Sequence, residues 1–205
     1  MVATKYGIKA PKPRTKVPEH LIYEIIDGKP IYYRGYREVM AGTKTYTEII
    51  GSSTLQSLIA SYLLRVLFKG LDESAFTVLT NEAGLHLNHR NNLSGDILIF
   101  DAQTLPASAV GEHYADVPPA VVIEVDISAD PADREADSYV HLKTQKLLEF
   151  GVQQVIWILT VPKTVTAARA GEDWQIKDWH KDIEVADGIQ FNIGAYLVGI
   201  GSAFA

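Results

Sequence analysis

Gly95-Asp96-Ile97-Leu98-Ile99-Phe100 and Val121-Val122-Ile123-Glu124-Val125-Asp126-Ile127 decide how this 205-residue chain is read. Both are apolar runs of strand length interrupted by carboxylates, and charged groups do not enter buried strands without a compensating partner. Side chains alternate along a strand. Glu124 and Asp126 are therefore expected on one face, with Val121, Ile123, Val125 and Ile127 on the other. Three converging carboxylates repel one another and lose solvation unless a divalent cation or a basic group lies among them, so the pattern points to a metal.

The sequence around these runs is that of a chain with one core. At 205 residues and 47% hydrophobic composition the length favours a single domain over two. Residues 1–19, with Pro11, Pro13, Pro18 and five basic side chains before the first acid, read as an extended arm, disorder being an open alternative, and 20–205 as the domain. No run of 18 apolar residues is present and the basic start lacks the apolar segment of a signal peptide, so no membrane partner and a cytoplasmic location are expected. The absence of cysteine removes disulfides, thiolate chemistry and Cys-based zinc sites. Net charge is -6, but residues 1–93 carry twelve Lys/Arg against eight Asp/Glu, whereas 94–143 carry two against ten. The acid is thus concentrated around the candidate site. A pI near 5.5 argues against strong sequence-independent gripping of nucleic acid through many phosphates.

Working outward, Leu21 to Ile26, Asp27-Gly28 and Pro30 to Tyr33 predict a β-hairpin. Ser53-Thr54-Leu55-Gln56 is a capping box opening a helix that carries Leu55, Leu58, Ile59, Tyr62, Leu63, Val66 and Leu67 and stops at Gly70. Between these two features the pattern is unclear. Phe76 to Thr80 and Gly84 to Leu87 predict two short strands, and Asn88 to Asn92 a turn before the strand of Asp96. A long connection, 101–119, precedes the strand of Glu124. An acidic turn over 130–137 leads into a helix ending at Phe150 before Gly151, followed by the strand Val155 to Leu159. Strand, helix, strand implies a parallel crossover. Further strands are expected around Thr164 to Arg169, Trp174 to Trp179 and Ile189 to Ile193.

In the helix ending at Phe150, Lys143 lies three residues after Val140 and four before Leu147, on the same apolar face, while His141 and Gln145 point away. A lysine there either snorkels to the surface or meets an anion. The crossover lays this helix across the sheet, within reach of the carboxylates.

On these residues the chain resembles the PD-(D/E)xK nuclease superfamily, and more closely its branch of restriction-endonuclease-like proteins. The resemblance runs from Tyr23-Glu24-Ile25-Ile26-Asp27-Gly28 to Phe191-Asn192-Ile193. It is densest over Asp96, then Pro119 to Val125 with Ser128, Lys143, Gly151-Val152 and Val155 to Ile158. It implies an α/β, restriction-endonuclease-like fold, with a mixed central β-sheet flanked by helices and an N-terminal β-hairpin. It further implies an endonuclease hydrolysing DNA phosphodiester bonds with Mg2+ or Mn2+. Asp96 and Glu124 would hold the metal, with the Val125 carbonyl and Asp126 as further candidate donors, and Lys143 would serve the attacking water. Gly95 stands where the family has proline, Asp126 where its base pattern has lysine, Thr160 where an aspartate is common, and Gln56 near a histidine position. Asp126 could join the ion or tie up Lys143 in a salt bridge.

Other constellations are weak. His86 and His89 lack the second cluster a zinc site needs. Ser128 has no nucleophile-elbow pattern, no phosphate-binding glycine loop exists, and Trp174 and Trp179 suit sheet packing better than base stacking. Cutting both strands of a duplex makes a homodimer the natural expectation. The competing readings are a nucleic-acid-binding or accessory module of the same fold with weakened catalysis, and an unrelated phosphoesterase.

Overall fold

A computed structural model describes residues 16–127, 130 and 136–205. The expected arm falls largely outside them, as do Ser128 and most of the acidic turn. Glu19–Leu21 already form a 3-10 turn, so regular structure begins at the boundary assigned to the arm.

The hairpin forms as the sequence predicts: β1 (Ile22–Ile26) and β2 (Lys29–Tyr32) pair antiparallel. Asp27 and Gly28 both have positive φ, 53° and 73°, which is the twist that a two-residue hairpin turn requires. The stretch without a clear pattern holds a short helix, α1 (Tyr36–Met40), and a 3-10 turn at Tyr46–Glu48. Helix α2 (Thr54–Gly70) opens at the expected box: Ser53 Oγ accepts from the Gln56 N–H, and Gln56 Oε1 accepts from the Ser53 N–H.

The two short strands expected after α2 are one, β3 (Phe76–Asn88), antiparallel to β4 (Asn91–Asp101). Its register slips between Thr80 and Ala83, where Asn81 and Glu82 take left-handed conformations at φ 69° and 53°. A bulge interrupts the alternation and mimics a strand break in the sequence. After the long connection come β5 (Val121–Val125), α3 (Ala136–Phe150) and β6 (Gln154–Leu159), with β5 and β6 parallel as the crossover demands. Strands β7 (Thr164–Arg169) and β8 (Gln175–Asp178) continue the sheet antiparallel. A separate hairpin of β9 (Ile183–Ala186) and β10 (Ile189–Phe191) precedes α4 (Ile193–Gly199). The expected strand over Ile189 to Ile193 therefore ends early: Asn192 Oδ1 accepts from the Ala195 N–H and starts a helix instead.

The result is a mixed, eight-stranded sheet in the order β2-β1-β4-β5-β6-β7-β8, with β3 on the other edge of β4. Helix α2 buries Ile59, Leu63 and Leu67 against Ile97, Ile99, Ile123, Ile156 and Ile158 on one face. Helix α3 packs Tyr139, Val140 and Leu147 against Leu98, Phe100, Val122, Val155 and Trp157 on the other. Each such fully buried aliphatic side chain contributes about 1.5–3 kcal/mol, which fixes both helices on their faces. This is the α/β restriction-endonuclease-like arrangement, a mixed sheet between helices with an N-terminal hairpin. Among the described residues no helix is long and apolar enough to cross a membrane.

Candidate active site

The site lies where the sheet forks. Along one edge of β4, β1 pairs at Asn92 through Ile25, and β5 pairs at Ile97 to Ile99. Between them, around Ser94 to Asp96, that edge has no strand partner among the described residues. A gap of this kind leaves backbone donors unsatisfied, and two carboxylates satisfy them. The Ser94 N–H donates to Glu24 Oε1 at 3.0 Å, and the Val125 N–H donates to Asp96 Oδ2 at 2.7 Å.

Asp96, Glu124 and Lys143 converge as the sequence reading expects. Asp96 shares the sheet face of Leu98, and Glu124 that of Val122, which is the face covered by α3. Lys143, 0% exposed, extends from α3 so that Nζ stands 2.7 Å from Glu24 Oε1 and 2.8 Å from Glu124 Oε1. It meets anions rather than snorkelling. The contact to Glu24 is a hydrogen bond. The contact to Glu124 is a charge-assisted ion pair, so one ammonium bridges the two carboxylates. Rings of Tyr23, Tyr139 and Trp157 surround the ammonium, their centroids 5.8, 5.9 and 5.6 Å away. The Trp157 indole is itself held by its N–H to Thr144 Oγ1 at 2.9 Å.

Electrostatics follow from this crowding. Burial pushes the Glu124 carboxyl up to about 8, Lys143 opposing and the charges of Asp96 and Glu24 adding to the rise. Burial also raises Asp96, against the hydrogen bond from Val125 and the lysine charge. For Lys143 burial acts downward, yet Glu124 and Glu24 outweigh it and hold the amine well above its ordinary range. The site thus carries a firm cation beside a carboxyl whose burial makes it hold a proton more tightly than usual. A divalent ion beside Glu124 would take the place of that proton.

Two residues depart from expectation. Asp126 does not continue the alternation of β5. The chain leaves the strand at Val125, Asp126 takes φ 61°, and its two carboxylate oxygens accept from the Thr160 N–H and hydroxyl, each at 2.7 Å. It is therefore neither beside Glu124 on the strand face nor bonded to Lys143. Asp126 and Thr160, two of the four departures from the pattern of the resembled family, are each other's partners. Glu24 was not singled out as a functional residue, yet it is 3% exposed and accepts from Ser94, Lys143 and, at 2.7 Å, the Tyr139 hydroxyl. A lone carboxylate in Ile22-Tyr23-Glu24-Ile25-Ile26 was its sequence signal.

Among the described residues no group of three or more His, Asp or Glu side chains is placed to hold a metal. A donor set of Asp96, Glu124 and the Val125 carbonyl remains chemically suited to a hard cation: two carboxylates, that of Glu124 buried, plus a peptide oxygen. That carbonyl accepts from Gln56 Nε2 at 3.1 Å and keeps a second lone pair. A cleft of about 710 Å³ adjoins this side, its wall including Arg34, Lys44, Gln56 and Asp126 but not Asp96 or Glu124. His86 is engaged with Asn92 at 2.6 Å. Trp179 is fully buried, and Trp174 packs against His141 at 4.8 Å.

No protein-family model matches the chain, and no curated protein matches it in sequence. Among solved structures it is similar to a protein from Anabaena variabilis provisionally named as a nuclease belonging to DUF820. The TM-score is 0.60 at 17% identity, over 83% of this chain and 87% of that one. At that identity the likeness is one of fold, and the fold is nuclease-like.

Proposed function

We propose that this protein is a metal-dependent endonuclease of the PD-(D/E)xK type that hydrolyses DNA phosphodiester bonds. The observation that carries the reading is the convergence of Asp96, Glu124 and Lys143 on one face at the fork, with Glu124 buried beside the Lys143 ammonium. Asp96, Glu124 and the Val125 carbonyl would hold Mg2+ or Mn2+, which when bound supplies charge for the phosphodiester transition state and acidifies water. Lys143 orients and charge-stabilises the attacking water from its place beside Glu124. Asp126 stays with Thr160, outside the ligand set. Two copies would serve the two strands of a duplex, and the protein would work on DNA in the cytoplasm.

Plasmid nicking in Mn2+ tests this. The intact protein is expected to nick, and Glu124→Ala to lose about 100-fold or more, the scale of removing one major electrostatic contributor. Cleavage that survives the substitution refutes the assignment. The burial of Lys143 and Glu124, 0% and 2% exposed, favours one second reading, a DNA-binding module with weak turnover. It predicts that both proteins retard DNA at low salt and neither nicks it.

A further inference from the structure

We propose that Glu24 is the positioning residue of this site, acting through Lys143. The inference rests on the nuclease reading above and deepens it. Lys143 Nζ is shared between two carboxylates, only one of which, Glu124, belongs to the ligand set proposed for the metal. If Glu124 turns to a cation, Glu24 is the carboxylate that still holds the ammonium in place in a cavity walled by three aromatic rings. Glu24 is built for that purpose. It reaches across the fork from β1, so it leads no backbone toward the ligands. Its Oε1 is oriented by the Ser94 N–H at 3.0 Å and its Oε2 by the Tyr139 hydroxyl at 2.7 Å. Tyr139 precedes Lys143 by one helical turn, so α3 supplies both the cation and the donor that aims its counter-ion. Glu24 touches neither water nor phosphate in this role; it keeps the amine where both can meet it.

The test uses the full chain and four proteins in each of two cycles, wild type, Glu24→Gln or Tyr139→Phe, Lys143→Met, and the double variants. Glu24→Gln, which keeps the shape and removes the charge, is expected to lower kcat for plasmid cleavage about 10- to 100-fold with KM within about twofold. Tyr139→Phe is expected to lower kcat about 3- to 10-fold, the scale of one ordinary net hydrogen bond. On the Lys143→Met background neither substitution adds a further loss, since there is no amine left to hold. Additive losses overturn the proposal, because they mean that Glu24 acts by itself or only through the fold. Tyr139→Phe keeps the ring packing and decides the matter if Glu24→Gln does not fold. The second readout needs neither metal nor activity: a buried, doubly paired lysine gives a slowly exchanging ammonium signal in 15N-edited spectra. That signal is expected in the metal-free wild type and lost, or exchanging at least about tenfold faster, in Glu24→Gln. A wild type that cuts no DNA removes the nuclease reading alone, and the ammonium signal then decides the positioning role; a signal unchanged in both variants overturns it.

Discussion

Replacing Lys143 with methionine tests how the buried cluster balances its charge. Methionine is unbranched and of similar length, so it fills the channel between Tyr23, Tyr139 and Trp157 and leaves packing largely intact. What it removes is the cation 2.7 and 2.8 Å from two buried carboxylates. Removing one partner of a buried ion pair leaves uncompensated charge and costs about 3–5 kcal/mol. For Glu124 the lysine charge opposes the rise that burial causes, so without it the carboxyl is pushed further up. The sign is fixed by linkage: a carboxyl whose folded pKa is raised contributes fully below its unfolded value and loses that contribution as pH rises. For a chain of this size we expect Tm to fall by about 6–20 °C at pH 7 and by less at pH 5, where carboxylates bind protons more readily. Scanning calorimetry at both values reads it. Equal losses at the two pH values would refute the reasoning, since a packing defect does not titrate, and no loss at pH 7 would mean that the ion pairs contribute nothing net.

The same linkage applies to Glu124 in the intact protein. Its folded carboxyl is raised from 4.5 to about 8, so its contribution is present below about 4.5 and declines through pH 8 at up to about 1.4 kcal/mol per unit. Urea midpoints of wild type minus Glu124→Gln should therefore fall steadily between pH 5 and 8, and a flat difference contradicts the raised value. Asp126→Ala loses both hydrogen bonds from Thr160 and places alanine at φ 61°; about 2–4 kcal/mol of stability should go with them, while Asp126→Asn, tolerant of that conformation, should cost about 1 kcal/mol. Asp126→Asn should leave Mn2+ affinity unchanged, as read by the loss of the free-ion electron paramagnetic signal, and a tenfold weakening would return Asp126 to the ligand set.

The sequence made legible whatever followed from local periodicity. The α2 capping box, the Asp27-Gly28 turn, the inward Lys143 and the parallel β5–β6 pair all rest on patterns a few residues long, and the tertiary structure agrees with each. Misreadings occur where a left-handed residue breaks a period. Asn81 and Glu82 split β3 in appearance only, and Asp126 leaves the strand one residue before the alternation would have used it. The second Asp-Gly turn, Asp187-Gly188 at φ 48° and 75°, marked the β9–β10 hairpin by the same rule as the first, and β9 went unread. Glu24 was missed for another reason. Its partners lie 70, 115 and 119 residues away, and nothing local tells which of several buried acids faces a lysine on another element.

The fork in the sheet has a consequence for anyone wishing to transplant this chemistry. A segment running from Asn91 to Leu159 contains both acids and the amine, and looks like a self-sufficient cassette. It is not one, because the counter-ion travels on the first hairpin, which meets β4 through a register pair at Ile25 and Asn92. A graft of β4, β5 and α3 onto a foreign scaffold would leave Lys143 paired with Glu124 alone. The host would have to import an anion at the place of Glu24, with a hydroxyl to aim it, to rebuild the bridged amine.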